Sequence, residues 1–140
     1  MNLPIYTAAL GAFLIVMQAV LMVGVGARRL KGPFIGLGDD KNMERRVRRH
    51  GNLAENSGLF LAVLALLELL VGQTPFLAAL CLLFAVARLL HAAGFSSLAG
   101  SHGEDLSGAR KGFAAMRALG AFGTLITALG AAGGIAVALA

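Results

Sequence analysis

The sequence predicts an all-α protein, an integral membrane four-helix bundle forming one domain. Three observations carry that prediction. Of the 140 residues, 58% are hydrophobic and only 14% charged, whereas a soluble domain carries about 45–50% apolar and about 25% charged residues. The mean hydropathy is +0.80, and a chain this short cannot hide so much apolar side chain in one water-soluble core. The apolar residues also fall into four runs of membrane-spanning length. The same composition excludes disorder. Cys81 is the single cysteine, which excludes a disulfide scaffold.

The first run extends from Leu3 to Ala27 without a charge, and about 20 apolar residues cross a hydrocarbon core about 30 Å thick. No Lys or Arg precedes Arg28, so the run lacks the basic start of a secretory signal and reads as a retained helix over about residues 3–27. The second helix covers about residues 40–72. Its apolar part runs from Gly51 to Gly72, and its amphipathic start reaches back to an acidic N-cap at Asp39 or Asp40. Gly72-Gln73-Thr74-Pro75 is a tight connection ending in proline. A third helix follows over about residues 75–95, then a Gly/Ser-rich loop, then a fourth helix over about residues 113–139.

The net charge of +5 and the isoelectric point near 10.4 raise the question of nucleic acid. The positions of the charges answer it. Arg28, Arg29, Lys31, Lys41, Arg45, Arg46, Arg48 and Arg49 cluster around the first connection, and Arg110 and Lys111 fall in the third. The second connection has no basic residue. By the positive-inside rule both basic loops face the cytoplasm and both termini face the other side. Topology and lipid headgroups therefore absorb the charge, and no nucleic-acid partner is expected.

Ionisable groups inside spanning helices are costly and need a partner or a task. Here they are Glu55 and Glu68 in the second helix, Arg88 and His91 in the third, and Arg117 in the fourth. All but Glu68, which receives no role, converge at the basic end. Arg45, Arg48, Asn52, Glu55 and Asn56 follow three- and four-residue steps and form one polar stripe. Such a stripe belongs inside the bundle or at a subunit boundary. Glu55 is the expected partner of Arg88 or Arg48. Arg48, Arg88 and Arg117 outnumber it, and the surplus points to an anionic ligand.

The segment from Glu44 to Asn56 (ERRVRRHGNLAEN) resembles the signature of the MAPEG superfamily, the membrane-associated proteins in eicosanoid and glutathione metabolism. The residues carrying it are Arg48, His50, Asn52, Glu55 and Asn56. Arg88-Leu89-Leu90-His91 with Gly94-Phe95-Ser96 matches a second motif, and Arg117, Gly120 and Thr124 a weaker third. The short loops look like the bacterial branch. The resemblance implies a homotrimer in the bacterial inner membrane, with glutathione held between subunits near the basic face. Arg48 and Arg88, joined by Arg28 or Arg29, would clamp its carboxylates. Asn52 and Glu55 would hold its ammonium, with His50, His91 and Ser96 completing the site. In catalytic relatives an arginine near the start of the fourth helix stabilises the thiolate. Arg117 is the candidate here, with Arg110 second.

Two departures bear on activity. Catalytic relatives place Tyr where Phe95 stands, and Ser where Ala118 follows the arginine. Ser96 or Ser97 would have to replace the missing hydroxyl. The leading expectation is a glutathione transferase or peroxidase acting on a lipophilic small molecule. The alternative is a non-catalytic binding or scaffold protein for lipid or another anionic metabolite. A transporter ranks last, because Pro4, Pro33 and Pro75 all lie outside helix centres. His102 beside Glu104 and Asp105 is too small a set for a metal, and no metal site is expected. The spacing of Gly130 and Gly134 suggests close helix packing, and Cys81 reads as a packing residue.

Overall fold

A computed structural model describes residues 3–32, 35–37, 39–98 and 105–140. Pro33, His102 and Glu104 lie outside them. Four helices account for nearly everything described: α1 (Ile5–Arg29), α2 (Lys41–Val71), α3 (Pro75–Gly94) and α4 (Arg110–Leu139). The helix starts have local causes. Asp40 caps α2 by accepting from the Asn42 N–H at 2.9 Å, and Thr74 caps α3 with Pro75 at its first position. Gly72 closes α2 with φ of 74°, a conformation that favours glycine. Arg110 and Lys111 belong to the first turn of α4 rather than to the preceding loop. Their N–H groups bond the Ser107 and Gly108 carbonyls, which starts the helix a turn early.

All four helices are long and apolar enough to cross a membrane. They alternate in direction, so the ends of α1 and α3 meet the starts of α2 and α4 at one basic end. At about 1.5 Å per residue α2 is about 46 Å long, well beyond a hydrocarbon core of about 30 Å. Its charged first third projects at the basic end. α3 and α4 share the most extensive interface, and both α1 and α4 pack on α2 and α3. Leu14, Leu64, Leu67, Leu77 and Phe84 are almost wholly buried at the centre. Phe60 of α2 stacks on Phe84 of α3 with ring centroids 4.3 Å apart. Many large apolar side chains face outward, Val20, Leu59, Phe122 and Leu129 among them. Water would not tolerate that surface, and a bilayer does.

Glu68 has a structural role that its sequence position did not reveal. It is fully buried and accepts from the Tyr6 N–H at 2.9 Å, the Thr7 N–H at 2.8 Å and the Thr7 hydroxyl at 2.7 Å. Pro4, at the N-cap of α1, supplies no side-chain cap. A carboxylate on α2 therefore completes the start of α1, where unpaired N–H groups and the helix dipole both favour negative charge.

The α3–α4 contact depends on missing side chains. A Cβ at Gly120 would stand 2.6 Å from the Ala87 carbonyl oxygen and 2.7 Å from His91 Cβ. One at Gly94 would stand 2.5 Å from Arg117 Cγ. The pair singled out by spacing is also closely packed, but against side-chain ends that can shift: a Cβ at Gly130 would stand 2.7 Å from a Leu80 methyl and one at Gly134 3.0 Å from the Phe76 ring, whereas Gly133 between them has open space. Gly120→Ala should lower unfolding stability in detergent by about 1–3 kcal/mol, with Gly133→Ala within about 0.5 kcal/mol of the parent. Equal effects in a denaturation series would refute this account. Glu68→Ala, which strands buried donors, should cost about 1–3 kcal/mol in the same assay.

Candidate functional site

The first half of α2 carries polar residues on every side, and the helix turn sorts them onto different neighbours. Arg46 and His50 face α1. Arg46 donates to the Gly24 carbonyl at 3.0 Å. Gln18 Nε2 lies 2.7 Å from His50 Nε2, a bond in which the amide donates when the ring proton sits on Nδ1. Arg45 and Arg49 face the end of α3, where Arg45 donates to the Ser96 carbonyl and Arg49 to the Ser96 hydroxyl at 2.6 Å. Asn52 faces the bundle. Arg48 and Glu55 face outward and are exposed.

Arg88 is the centre of the arrangement. It is 3% exposed. One end of its guanidinium donates to Asn52 Oδ1 at 2.8 Å. The other donates to the Thr124 hydroxyl and to the Gly120 carbonyl at 3.2 Å. Its plane lies 5.5 Å from the Phe84 ring centre, a favourable place for a cation. Its Nε is buried without a hydrogen-bond partner among the described residues. No carboxylate among those residues lies within ion-pair distance of it. The expected Glu55 partnership is thus replaced by Asn52, one turn nearer the basic end. With its oxygen held by Arg88, the Asn52 amide nitrogen is the group left to donate outward.

Arg117 closes the end of α3. It donates to the Gly94 carbonyl at 2.8 Å and the Ser97 carbonyl at 2.6 Å, and lies 5.6 Å from the Phe95 ring centre. His91 meets Phe95 edge-on with centroids 5.1 Å apart. Cations at a helix C-terminus are favourably placed, and α3 ends among three: Arg45, Arg49 and Arg117.

The structure therefore brings Asn52, Arg88, His91 and Arg117 into one layer where α2, α3 and α4 meet. It places Arg48 and Glu55 on the outer face of α2, with Arg48 3.9 Å from Glu44. Ser96 is held between Arg45 and Arg49, and Arg110 is exposed at the start of α4. Thr124 and Gly120 enter as acceptors for Arg88. Their four-residue spacing behind Arg117 was visible in the sequence, but its use was not. One turn further along, Leu59, Phe60, Val63 and Ala128 line an apolar cavity of about 170 Å³ between α2 and α4. The layer thus offers polar donors beside an apolar cavity, with Glu55 on the adjoining outer face of α2, a setting suited to a ligand with both charged and apolar parts.

Arg28 belongs to a different device. It pairs with Asp40 at 2.7 Å, tying the end of α1 to the start of α2. Burial pushes the Asp40 carboxyl up, but the Arg28 hydrogen bond and the Met43 and Asn42 N–H groups outweigh it. The result lies below the usual aspartate value of 3.8. A carboxylate depressed in the folded state stabilises above its unfolded pKa and loses that contribution as pH falls through its folded pKa. Thermal melting of the parent should accordingly decline below about pH 4. In Asp40→Asn that part of the decline should disappear; parallel curves would rule the tie out.

Comparison with curated proteins finds no match for the chain. Comparison with known families matches the MAPEG family over residues 3–137, nearly the full length and all four helices, and the chain belongs to the MAPEG family.

Proposed function

We propose that this protein binds glutathione within the membrane and uses it as a transferase or peroxidase on lipophilic electrophiles. One observation carries the reading: a buried guanidinium without a carboxylate, Arg88, orients Asn52 beside the outward Arg48 and Glu55. That donor set suits glutathione, which presents two carboxylates, an ammonium and a thiol. Arg48 would take a carboxylate, as a guanidinium matches its two oxygens. Glu55 and the Asn52 amide would hold the γ-glutamyl end. The unpartnered Arg88 Nε and its uncompensated charge favour an anion close by.

Arg48 and Glu55 stand on a face that no other helix of the chain covers. Lipid is a poor solvent for Glu55 in particular, which supports a homotrimer with the ligand between subunits. Bound glutathione would supply a nucleophilic sulfur, and a nearby guanidinium would stabilise its thiolate. Arg117 or Arg110 would do this. The cavity beside Val63 and Ala128 would admit the electrophile from the bilayer. The basic loops would face the cytoplasm of a bacterial inner membrane.

A second reading, a binder without turnover, has one observation in its favour. Arg117 spends two hydrogen bonds on carbonyls at and just beyond the end of α3, and Phe95 beside it offers no hydroxyl. Titration calorimetry with glutathione tests the ligand, and turnover of a chloronitrobenzene tests the chemistry. Arg48→Ala and Glu55→Gln should each weaken binding about tenfold, or about 1.4 kcal/mol. Arg117→Ala should abolish turnover while leaving binding within about threefold. An absence of binding heat removes glutathione as the ligand. Binding without turnover in the parent selects the second reading.

A further inference from the structure

At the basic end, away from the Asn52–Arg88 layer, two cavities of opposite character meet at one residue. The first is an apolar groove of about 400 Å³ between α1 and α3. Phe13 and Met17 of α1 and Leu89 and Ala93 of α3 form its walls, and Arg49 and Ser96 close one end. The second is a polar cup of about 200 Å³ whose lining includes Lys41, Arg45, Ser96, Ser97 and Arg110. Ser96 belongs to both. Four cations thus surround the junction, and among the described residues no acid lines either cavity. Two acids on this side are turned to other cations, Asp40 to Arg28 and Glu44 to Arg48. Arg49 Nε is buried and makes no hydrogen bond among the described residues. The side chains of Lys41 and Arg110 are exposed and bond nothing there.

We propose that the two cavities form one site for a single anionic phospholipid, with an acyl chain in the groove and the phosphate among Arg49, Arg45, Lys41 and Arg110. Basic pockets between spanning helices suit anionic headgroups, and guanidinium matches phosphate geometry. The groove opens to the bilayer and leads directly to the charges, so head and tail of one molecule satisfy both cavities. The tail gains little, because the surrounding lipid is as apolar as the groove. Affinity must come from the headgroup, so selectivity follows charge rather than chain length. The inference rests on the membrane location and shares only Arg110 with the proposed glutathione chemistry, so the variants that test it are made at Lys41, Arg49 and Ala93.

Native mass spectrometry of the full chain in mild detergent tests it, with phosphatidylglycerol and phosphatidylcholine added separately. The parent should retain one phosphatidylglycerol per chain, with a preference over phosphatidylcholine on the order of tenfold. Lys41→Gln and Arg49→Gln should each reduce that preference several-fold. Arg49→Gln also removes a bond to Ser96, so Lys41→Gln, which disturbs no side-chain bond among the described residues, keeps the test decisive. Ala93→Phe should lower retention several-fold, because a filled groove holds the chain and with it the headgroup away from the charges, with helicity by circular dichroism unchanged. Equal retention of the two lipids overturns the proposal. So does undiminished preference in both charge variants, or full retention in Ala93→Phe. Displacement of the lipid by millimolar inorganic phosphate would identify a free-phosphate site instead and overturn the lipid assignment. Glutathione calorimetry on lipid-free parent protein is read separately, so the two readings fail independently.

Discussion

Arg88 carries a charge that a guanidinium does not shed, at 3% exposure in a helix the bilayer surrounds. At that burial the charge must be met by polar groups of the protein. The neighbouring helices must therefore come close enough to offer oxygen: Asn52 from α2, Thr124 and a backbone carbonyl from α4. A carbonyl can approach only where its own residue has no side chain in the way. Gly120 meets that condition, and it sets how near α3 and α4 lie. One buried cation thus fixes three helices against one another. Its partners are all neutral, which leaves the positive potential of the layer directed at whatever binds on the outer face of α2.

The same demand for polar partners explains the ends of the helices. An α-helix leaves four N–H and four C=O groups without partners at its termini, and in a thin, apolar chain few local side chains can answer them. This protein answers them from a distance. Glu68 completes the start of α1 from α2. Arg117 from α4 takes the Gly94 carbonyl at the end of α3 and the Ser97 carbonyl just beyond it, and Arg45 from α2 takes the Ser96 carbonyl between them. Each of these contacts joins two helices while it satisfies a terminus. A side chain so engaged is less available for a ligand, and that separates the arginines by role. Arg48 is open, Arg88 acts through Asn52, and Arg117 would have to exchange carbonyl oxygens for a thiolate.

The fold was legible in the sequence because hydropathy over about 20 residues measures the property a bilayer selects. The cap at Asp40 was legible because capping is local and acts within three residues. The convergence of Asn52, Arg88, His91 and Arg117 was also legible, since alternating direction brings the right ends together. What the sequence hid was pairing across helices. Opposite charge suggested Glu55 for Arg88, but a helix turns about 100° per residue, and that rotation puts Asn52 inward and Glu55 outward. Glu68 had no readable role because its partners are 61 and 62 positions away. The glycines were legible only in part, for a related reason: Gly130 and Gly134 are closely packed as their spacing suggested, but the tightest backbone approach is at Gly120. Spacing marks a face of α4, but only the facing residue on α3 decides whether a missing side chain is used. Backbone faces Gly120, and open space faces Gly133.

The outward turn of Glu55 and Arg48 has its own consequence. In a water-soluble bundle a charged stripe facing away from the core is ordinary surface. Here Glu55 lies about 16 residues from the far end of α2, or about 24 Å along its axis, which is inside a hydrocarbon layer of about 30 Å. A carboxylate at that depth needs a polar neighbour, and the chain's remaining helices pack on the other sides of α2. A ligand with an ammonium group supplies one such neighbour, and a second copy of the chain supplies cover for both. Assembly and ligand binding then answer one electrostatic demand, which is the physical reason to place the proposed glutathione site between subunits rather than within the bundle.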